Sequence, residues 1–177
     1  QTIDEIEHPL LRETLRLMEI EPMVETVSIA DVPAGTGLGS SGSFTVGLLH
    51  ALHAYKRQKI STEEMARMAH HIEMTILGEP CGKQDHYIAA YGGLMCQEYH
   101  PDGGVTITPL EVSEATLRDL SENLLLFFTG YSRAAAEILE DQKRKSEKGD
   151  SGMRDNLHFI KDLGVKIKGR LEEGDTQ

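Results

Sequence analysis

Glycine and serine are concentrated in residues 33–43, which read PAGTGLGSSGS and include four glycines and three serines. Glycine adopts positive φ readily and lets the backbone approach a ligand with no Cβ atom in the way. The segment opens onto an apolar helical run, FTVGLLHALHAY, whose first N–H groups would point at an anion in the favourable end of the helix dipole. The hydroxyls of Ser40 and Ser41 add donors for phosphate oxygens and ligands for Mg²⁺. We therefore predict a nucleotide or sugar-phosphate site in this loop.

Other glycine-rich structures compete with this interpretation. Gly37, Gly39 and Gly42 satisfy the G-x-G-x-x-G pattern of dinucleotide-binding folds, but no second strand with an acidic end follows about twenty residues later. A Walker-type P-loop is excluded because no Gly-Lys-Ser/Thr follows the glycines. A surface turn stays open as the structural alternative, although four glycines exceed what a turn needs.

A second segment with the residue types of phosphoryl transfer runs from Glu73 to Asp85 and reads EMTILGEPCGKQD. It places one carboxylate near the end of a helix and another just past a Gly/Pro loop. Such a pair suits a magnesium site in which Glu73 binds the metal ion and Asp85 takes or orients the proton of an attacking hydroxyl. Lys83 is a secondary candidate for keeping the Asp85 carboxylate ionised. By local pattern alone, an N-cap Asp85, a solvated Glu73 and a solvated Lys83 stay open.

The composition limits the class of protein. The chain has 177 residues, of which 39% are hydrophobic and 27% charged, as is typical of a globular protein. Its formal charge of −11, from 18 basic and 29 acidic residues, argues against nucleic acids and anionic membranes as partners. No apolar run is long enough for a membrane span, the first residues do not form a secretory signal, and the two cysteines lack C-x-x-C spacing. We expect a cytoplasmic protein with reduced thiols; its oligomeric state, a homodimer included, is open.

The periodicity of apolar residues predicts the elements that must position these segments. The expected helices cover residues 8–19, 44–56, 61–76 with a capping box at Ser61 and Glu64, 84–91, 132–145 and a last run to 173; the expected strands cover 23–32, 94–99, 105–110 and 123–129. Residues 100–104 predict a hairpin turn between two of the strands. This order predicts an α+β domain, with helices on one face of a mixed sheet, over residues 1–130. Residues 131–177 would begin a second α+β domain.

The two chemical segments together resemble the signatures of the GHMP kinases, the family of galactokinase, homoserine kinase, mevalonate kinase and phosphomevalonate kinase. In the loop, the residues that match the family signature are Pro33-x-Gly35-x-Gly37-Leu38-Gly39-Ser40-Ser41. In the acidic segment they are Glu73, the run GEPCGKQD and the later run AAYGG. Within the family, the segments GKQD, LLLFFTGYSR and ILEDQ are most similar to the bacterial D-glycero-D-manno-heptose 7-phosphate kinases. The resemblance covers nearly all of the chain.

This resemblance implies an ATP- and Mg²⁺-dependent kinase acting on a sugar phosphate, with D-glycero-D-manno-heptose 7-phosphate, phosphorylated at its anomeric hydroxyl, as the expected substrate. It implies that Ser41 coordinates Mg²⁺ with Glu73 and that Asp85 faces the sugar hydroxyl. A kinase for another sugar, of the fucose or galactose type, and a non-catalytic sugar or nucleotide sensor on the same fold are the alternatives. The residues implied to wrap the ATP phosphates are Pro33, Gly35, Gly37, Leu38, Gly39, Ser40 and Ser41.

The sequence departs from the family pattern in three places. A first strand with a basic residue and sugar-binding groups is missing, and so is a final glycine-rich motif. We therefore expect a central fragment that by itself binds nucleotide weakly at most and shows no turnover. His86 stands where relatives of the galactokinase type often carry glutamine, which leaves the contact to substrate at that position open.

Overall fold

The structure is a computed structural model that describes residues 2–21, 23–32, 34–127 and 135–176, with the backbone alone at 135–137. The chain divides into two compact units. One contains Gln1–Gly92 with Gly130–Leu139, and the other contains Gly93–Thr129 with Glu140–Gln177. The two domains expected over residues 1–130 and 131–177 stay a prediction.

The first unit is built from helices in its described residues. A 3-10 turn covers Ile3–Glu5, α1 covers Pro9–Leu17, α2 covers Ser40–Tyr55, α3 covers Thr62–His71, a π-helix covers Ile72–Ile76 and α4 covers Gln84–Tyr91. α2 packs against α1, α3 and α4. The helices predicted for this part of the chain are therefore confirmed, and α2 begins earlier than expected, at Ser40 within the glycine-rich segment.

Side chains at the helix starts satisfy amides that have no partner within the helix. Ser61 Oγ accepts a hydrogen bond from the Glu64 amide at 3.2 Å, and the Glu64 carboxylate accepts one from the Ser61 amide at 3.2 Å. This is the capping box that the sequence predicts, and it determines where α3 begins. α1 begins at Pro9, where the missing N–H leaves no donor unsatisfied.

A buried apolar cluster holds the helices of the first unit together. Leu49 and Ile72 lie at its centre, fully shielded from solvent. Burial of a side chain of this size contributes ~1.5–3 kcal/mol, so the cluster stabilises the arrangement of α2 and α3. α4 is further tied to α3 because the hydroxyls of Tyr87 and Tyr91 donate hydrogen bonds to the Glu63 carboxylate at 2.8 and 3.2 Å.

The second unit contains the sheet of the described residues. β1, Met95–Tyr99, pairs antiparallel with β2, Val105–Pro109. In the turn between them Gly103 has φ of 85°, and Asp102 accepts a hydrogen bond from the Gly104 amide at 2.8 Å. The predicted hairpin is thus confirmed. Later along the chain come α5, Glu114–Asn123, α6, Ala135–Glu147, and α7, Ser151–Glu172.

Two of the predicted strands are corrected by the structure. Residues 23–32 alternate apolar and polar side chains, yet they pair with no strand of the described chain, and Met23, Val27 and Ile29 are exposed. Alternation alone cannot form a strand, because a strand needs a neighbour that supplies the hydrogen bonds. In the predicted strand 123–129, Asn123 ends α5 and residues 124–127 are irregular, while 128 and 129 lie outside the described residues.

The helix α5 was not predicted from the sequence. α5 begins after Ser113, whose Oγ accepts a hydrogen bond from the Thr116 amide at 3.1 Å. A serine N-cap is the signal that would have indicated it. The helix predicted from residue 132 is observed from Ala135, and 132–134 lie outside the described residues. The α+β class is confirmed, and in the described part of the chain no helix has the length and apolar character needed to cross a bilayer.

Candidate functional site

The backbone of the glycine-rich loop adopts left-handed conformations just before α2. Gly35, Gly37 and Gly39 have φ of 76°, 79° and 66°, values that residues with a Cβ atom rarely adopt. Gly39 is the N-cap of α2 and carries no side chain that could bind the amides of the first turn. Those amides point out of the helix and suit an anion. Pro33, the first residue of the predicted phosphate-binding set, lies outside the described residues.

The remaining loop residues lie at the end of the loop and in the first turn of α2. Leu38 is exposed, and Ser40 is the first residue of α2. The Ser41 hydroxyl donates a hydrogen bond to the Glu73 carboxylate. Ser41 therefore connects the loop to one of the two predicted acidic residues.

Asp85 packs directly against the loop and the start of α2. A Cβ atom on Gly39 would lie 3.1 Å from Asp85 Cγ, and a Cβ atom on Gly42 would lie 3.1 Å from Asp85 Cβ and 3.2 Å from its carbonyl carbon. Glycine at both positions is what leaves room for Asp85, which lies exposed in the first turn of α4. The structure thus brings the second acidic residue to the N-terminus of α2, where the helix dipole favours negative charge.

Glu73 lies buried beside α2, on the π-helix. The residue is 2% exposed, and its Oε1 lies 3.1 Å from Thr45 Oγ1 and 3.0 Å from His86 Nε2. Burial alone would raise the pKa of Glu73, but the contacts with His86, Thr45 and Ser41 outweigh it and hold the pKa below its usual value of 4.5. The Glu73 carboxylate is therefore ionised at neutral pH.

Two further side chains that can bind metals surround Glu73. His86 is 1% exposed, and neither of its ring nitrogens is aligned for a hydrogen bond with a residue that the structure describes. Its ring meets that of His70 edge-on, with 5.4 Å between the centroids. Burial, together with the nearby carboxylates of Glu73, Glu79 and Asp85, raises the pKa of the Cys81 thiol to about 11, so the thiol is protonated at neutral pH.

Lys83 lies at the N-cap of α4 and is half-buried. Its charge acts on His70, whose pKa is lowered first by burial and then by His86 and Lys83. The role predicted for Lys83, keeping Asp85 ionised, stays a prediction.

Sequence reasoning counted Gly42 among the loop glycines but not as a contact of Asp85, missed Thr45 as part of this site and left His86 open. For Thr45 a signal exists, because it follows Ser41 by one helical turn and so lies on the same face of α2. For Gly42 and His86 no spacing links them to their partners. Their contacts with Asp85 and Glu73 join different elements and arise only when α2 and α4 pack together.

Residues 9–93 match the model of the GHMP kinases N terminal domain. The matched segment contains the left-handed loop, the buried Glu73 and the Asp85 that packs against α2. Residues 9–93 are therefore a GHMP kinase N-terminal domain, as the resemblance to the motifs of that family predicts.

Individual relatives agree with this assignment. The chain is 33% identical over 146 residues to a D-glycero-alpha-D-manno-heptose 7-phosphate kinase of Campylobacter jejuni, covering 82% of this chain and 42% of that protein. It is 34% identical over 96 residues to a mevalonate kinase of Methanothermobacter thermautotrophicus, covering 50% and 31%. A crystal structure of a D-glycero-D-manno-heptose 1-phosphate kinase from Bacteriodes thetaiotaomicron matches with a TM-score of 0.73 at 27% identity, covering 94% and 48%. The chain spans less than half the length of each of these proteins.

Proposed function

We propose that the protein carrying this chain is a sugar kinase that transfers the γ-phosphoryl group of ATP to a sugar phosphate. The observation that carries the proposal is the packing of Asp85 against Gly39 and Gly42, at the end of the left-handed loop. It puts a carboxylate beside backbone amides that can hold phosphate. Family membership and the heptose phosphate kinases among the relatives support the same reaction.

The loop would hold the phosphates of ATP. The left-handed glycines let the chain curve around an anion, and the first-turn amides of α2 point at it. In the role we give them, the side chains of Ser40 and Ser41 add hydroxyl donors at the same helix end. These groups bind a polyphosphate although the chain as a whole is strongly acidic.

Ser41 and Glu73 fit a magnesium ion by the chemistry of their donors. Mg²⁺ prefers oxygen ligands, and Glu73 supplies an ionised carboxylate that is hydrogen-bonded to the Ser41 hydroxyl. When bound, Mg²⁺ would neutralise charge on the β- and γ-phosphate oxygens. Thr45 and His86 also contact the Glu73 carboxylate, both at Oε1, and help to hold it in place.

Asp85 is proposed to act on the sugar hydroxyl. As the hydroxyl oxygen forms a bond to the γ-phosphorus, the bond from that phosphorus to the bridging oxygen of ADP breaks, and the hydroxyl proton passes to the Asp85 carboxylate. No covalent intermediate with the protein is needed. Positioning of the two reactants and stabilisation of the γ-phosphoryl oxygens supply the rest of the catalysis.

For the acceptor we propose D-glycero-D-manno-heptose 7-phosphate, phosphorylated at its anomeric hydroxyl. The 33% identity to the Campylobacter jejuni heptose 7-phosphate kinase supports this substrate. We further propose a cytosolic enzyme, since ATP is abundant there and neither cysteine forms a disulfide.

Replacing Asp85 by Asn in the whole protein tests the proposal. We expect the turnover of ATP with the heptose phosphate to fall by about 10²–10⁴-fold, with the affinity for ATP retained, because Asn cannot accept the proton. Phosphoryl transfer is measured by ADP release and ATP affinity by calorimetry. Asp155→Asn, an exposed change of the same chemistry in α7, is the control and should keep wild-type turnover.

The outcome also separates the alternatives. A non-catalytic sensor would bind ATP and show no turnover even in the wild type. A kinase for another sugar would show turnover with galactose or fucose in place of the heptose phosphate, and Asp85→Asn would abolish that turnover too.

A further inference from the structure

Three side chains from different segments bring an oxygen, a sulfur and a nitrogen ligand together. Glu73 lies on the π-helix, Cys81 in the loop before α4, and His86 in α4. One ligand atom from each lies within 4.8 Å of the other two. Glu73 and His86 are buried, and Cys81 is half-buried. The cluster is therefore shielded from bulk water and open on the side of Cys81.

The state of His86 points to a ligand at this cluster. The side chain is 2% exposed, Nε2 lies 3.0 Å from Glu73 Oε1, and Nδ1 makes no hydrogen bond to a described residue. A buried polar group without a hydrogen bond costs ~1–3 kcal/mol. Coordination of a metal ion through an imidazole nitrogen would remove that cost.

The donor set selects the kind of metal. Mg²⁺ takes oxygen ligands in octahedral geometry and avoids thiols. A thiolate, an imidazole and a carboxylate suit Zn²⁺ or Cd²⁺, with Zn–S of about 2.3 Å and Zn–N of about 2.0 Å. In such a site the ligand atoms lie about 3.5 Å apart. Glu73 Oε1 and His86 Nε2 already lie 3.0 Å apart, and the three ligand atoms lie within 4.8 Å of one another. The remaining closure, of about an ångström at most, is a movement of Cys81 Sγ toward the other two ligands.

We propose that Glu73, Cys81 and His86 form a binding site for Zn²⁺ or a similar soft divalent cation, with water as the fourth ligand. Coordination releases the Cys81 thiol proton to solvent and leaves a metal–thiolate bond. The site shares Glu73 with the magnesium site of the proposed function. Bound zinc would therefore inhibit phosphoryl transfer, a consequence that rests on the proposed function, whereas the binding itself does not.

Cadmium provides a direct readout because a cadmium–thiolate bond has an ultraviolet charge-transfer band. We expect the metal-free whole protein to develop this band with one equivalent of Cd²⁺. Cys81→Ser should lose the band, and Cys96→Ser, which changes the other cysteine of the chain, should keep it. No band in the wild type, or a band that is lost with Cys96 and kept without Cys81, would overturn the proposal.

A second measurement needs no variant and so does not depend on how a substitution affects folding. X-ray absorption spectroscopy of the zinc-loaded wild type should show one sulfur and at least one imidazole nitrogen around the metal. A shell of oxygen atoms only would overturn the site. Zinc that binds with this shell but leaves Mg²⁺-dependent turnover unchanged supports the zinc site and contradicts the magnesium role of Glu73 instead.

Discussion

Gly42 is the residue on which the contact between α2 and Asp85 depends most directly. It is buried in the first turn of α2, and a Cβ atom there would lie 3.1 Å from Asp85 Cβ and 3.2 Å from the Asp85 carbonyl carbon. The second of these atoms is backbone, so the start of α4 would have to shift by a few tenths of an ångström. Gly42 therefore matters for the packing of α2 against α4, and not only for the conformation of the loop.

Replacing Gly42 by Ala should destabilise the protein, because the added methyl group pushes α4 away from α2. We expect a loss of ~1–3 kcal/mol in the free energy of unfolding, measured by urea denaturation. Gly47→Ala is the matched control in the same helix, where an added Cβ atom meets nothing within 4 Å. It should stabilise by ~0.5–1 kcal/mol through helix propensity. Equal effects at the two positions would contradict the packing role.

The helix α2 also carries a buried histidine on its core-facing side. His53 is 8% exposed, and its ring nitrogens have no hydrogen-bond partner among the described residues. Burial first, and then the charge of Lys56, lowers the pKa of His53 below 6.5, against an opposing influence from Glu64. Packing of α2 against its neighbours therefore favours the neutral imidazole.

This burial predicts a loss of stability in mild acid. Well above pH 6.5 His53 is neutral in both states; as the pH falls through 6.5, the unfolded chain takes up a proton that the folded chain does not. The free energy of unfolding should therefore fall between about pH 7.5 and about pH 5.5, and His53→Leu should show a smaller fall, both measured by urea denaturation. His158→Leu, an exposed change in α7, should keep the wild-type fall. An equal fall in His53→Leu would contradict the prediction.

At the scale of the molecule, exposed apolar side chains influence how the protein associates with other surfaces. Leu125, Leu126 and Phe127 follow one another along the chain and are 79%, 80% and 78% exposed. Contiguous exposed apolar residues promote association with other surfaces, including those of other copies. They contribute little to the stability of the fold, because they bury little area.

Replacing Leu125 by Lys and Phe127 by Glu together should reduce self-association without lowering stability. We expect less scattering at high protein concentration, measured by light scattering, and an unchanged thermal midpoint. Leu49→Ala, which empties a fully buried position, is the contrasting control and should cost ~2–5 kcal/mol. A lower midpoint in the double variant would show that these side chains pack more than their exposure indicates.

The local features of the fold were predictable because their causes are local. The capping box of Ser61 and Glu64, the glycine-rich turn of the hairpin and the positive φ of the loop glycines all depend on residues a few positions apart. The strand predicted over residues 23–32 was wrong for the complementary reason. Alternation of apolar and polar residues is a property of a single segment, whereas a strand needs a second segment to supply its hydrogen bonds. No described strand pairs with residues 23–32.

The sequence by itself determined the two chemical segments and the helices that present them, since each follows from composition and short-range spacing. The family was indicated by the resemblance of those segments to known motifs. Only the tertiary structure decided that Asp85 meets Gly42 and that Glu73 meets Thr45 and His86. These contacts join residues that are distant along the chain. They form because burial of the apolar faces of α2, α3 and α4 fixes the helices relative to one another, and no pairwise spacing encodes that packing.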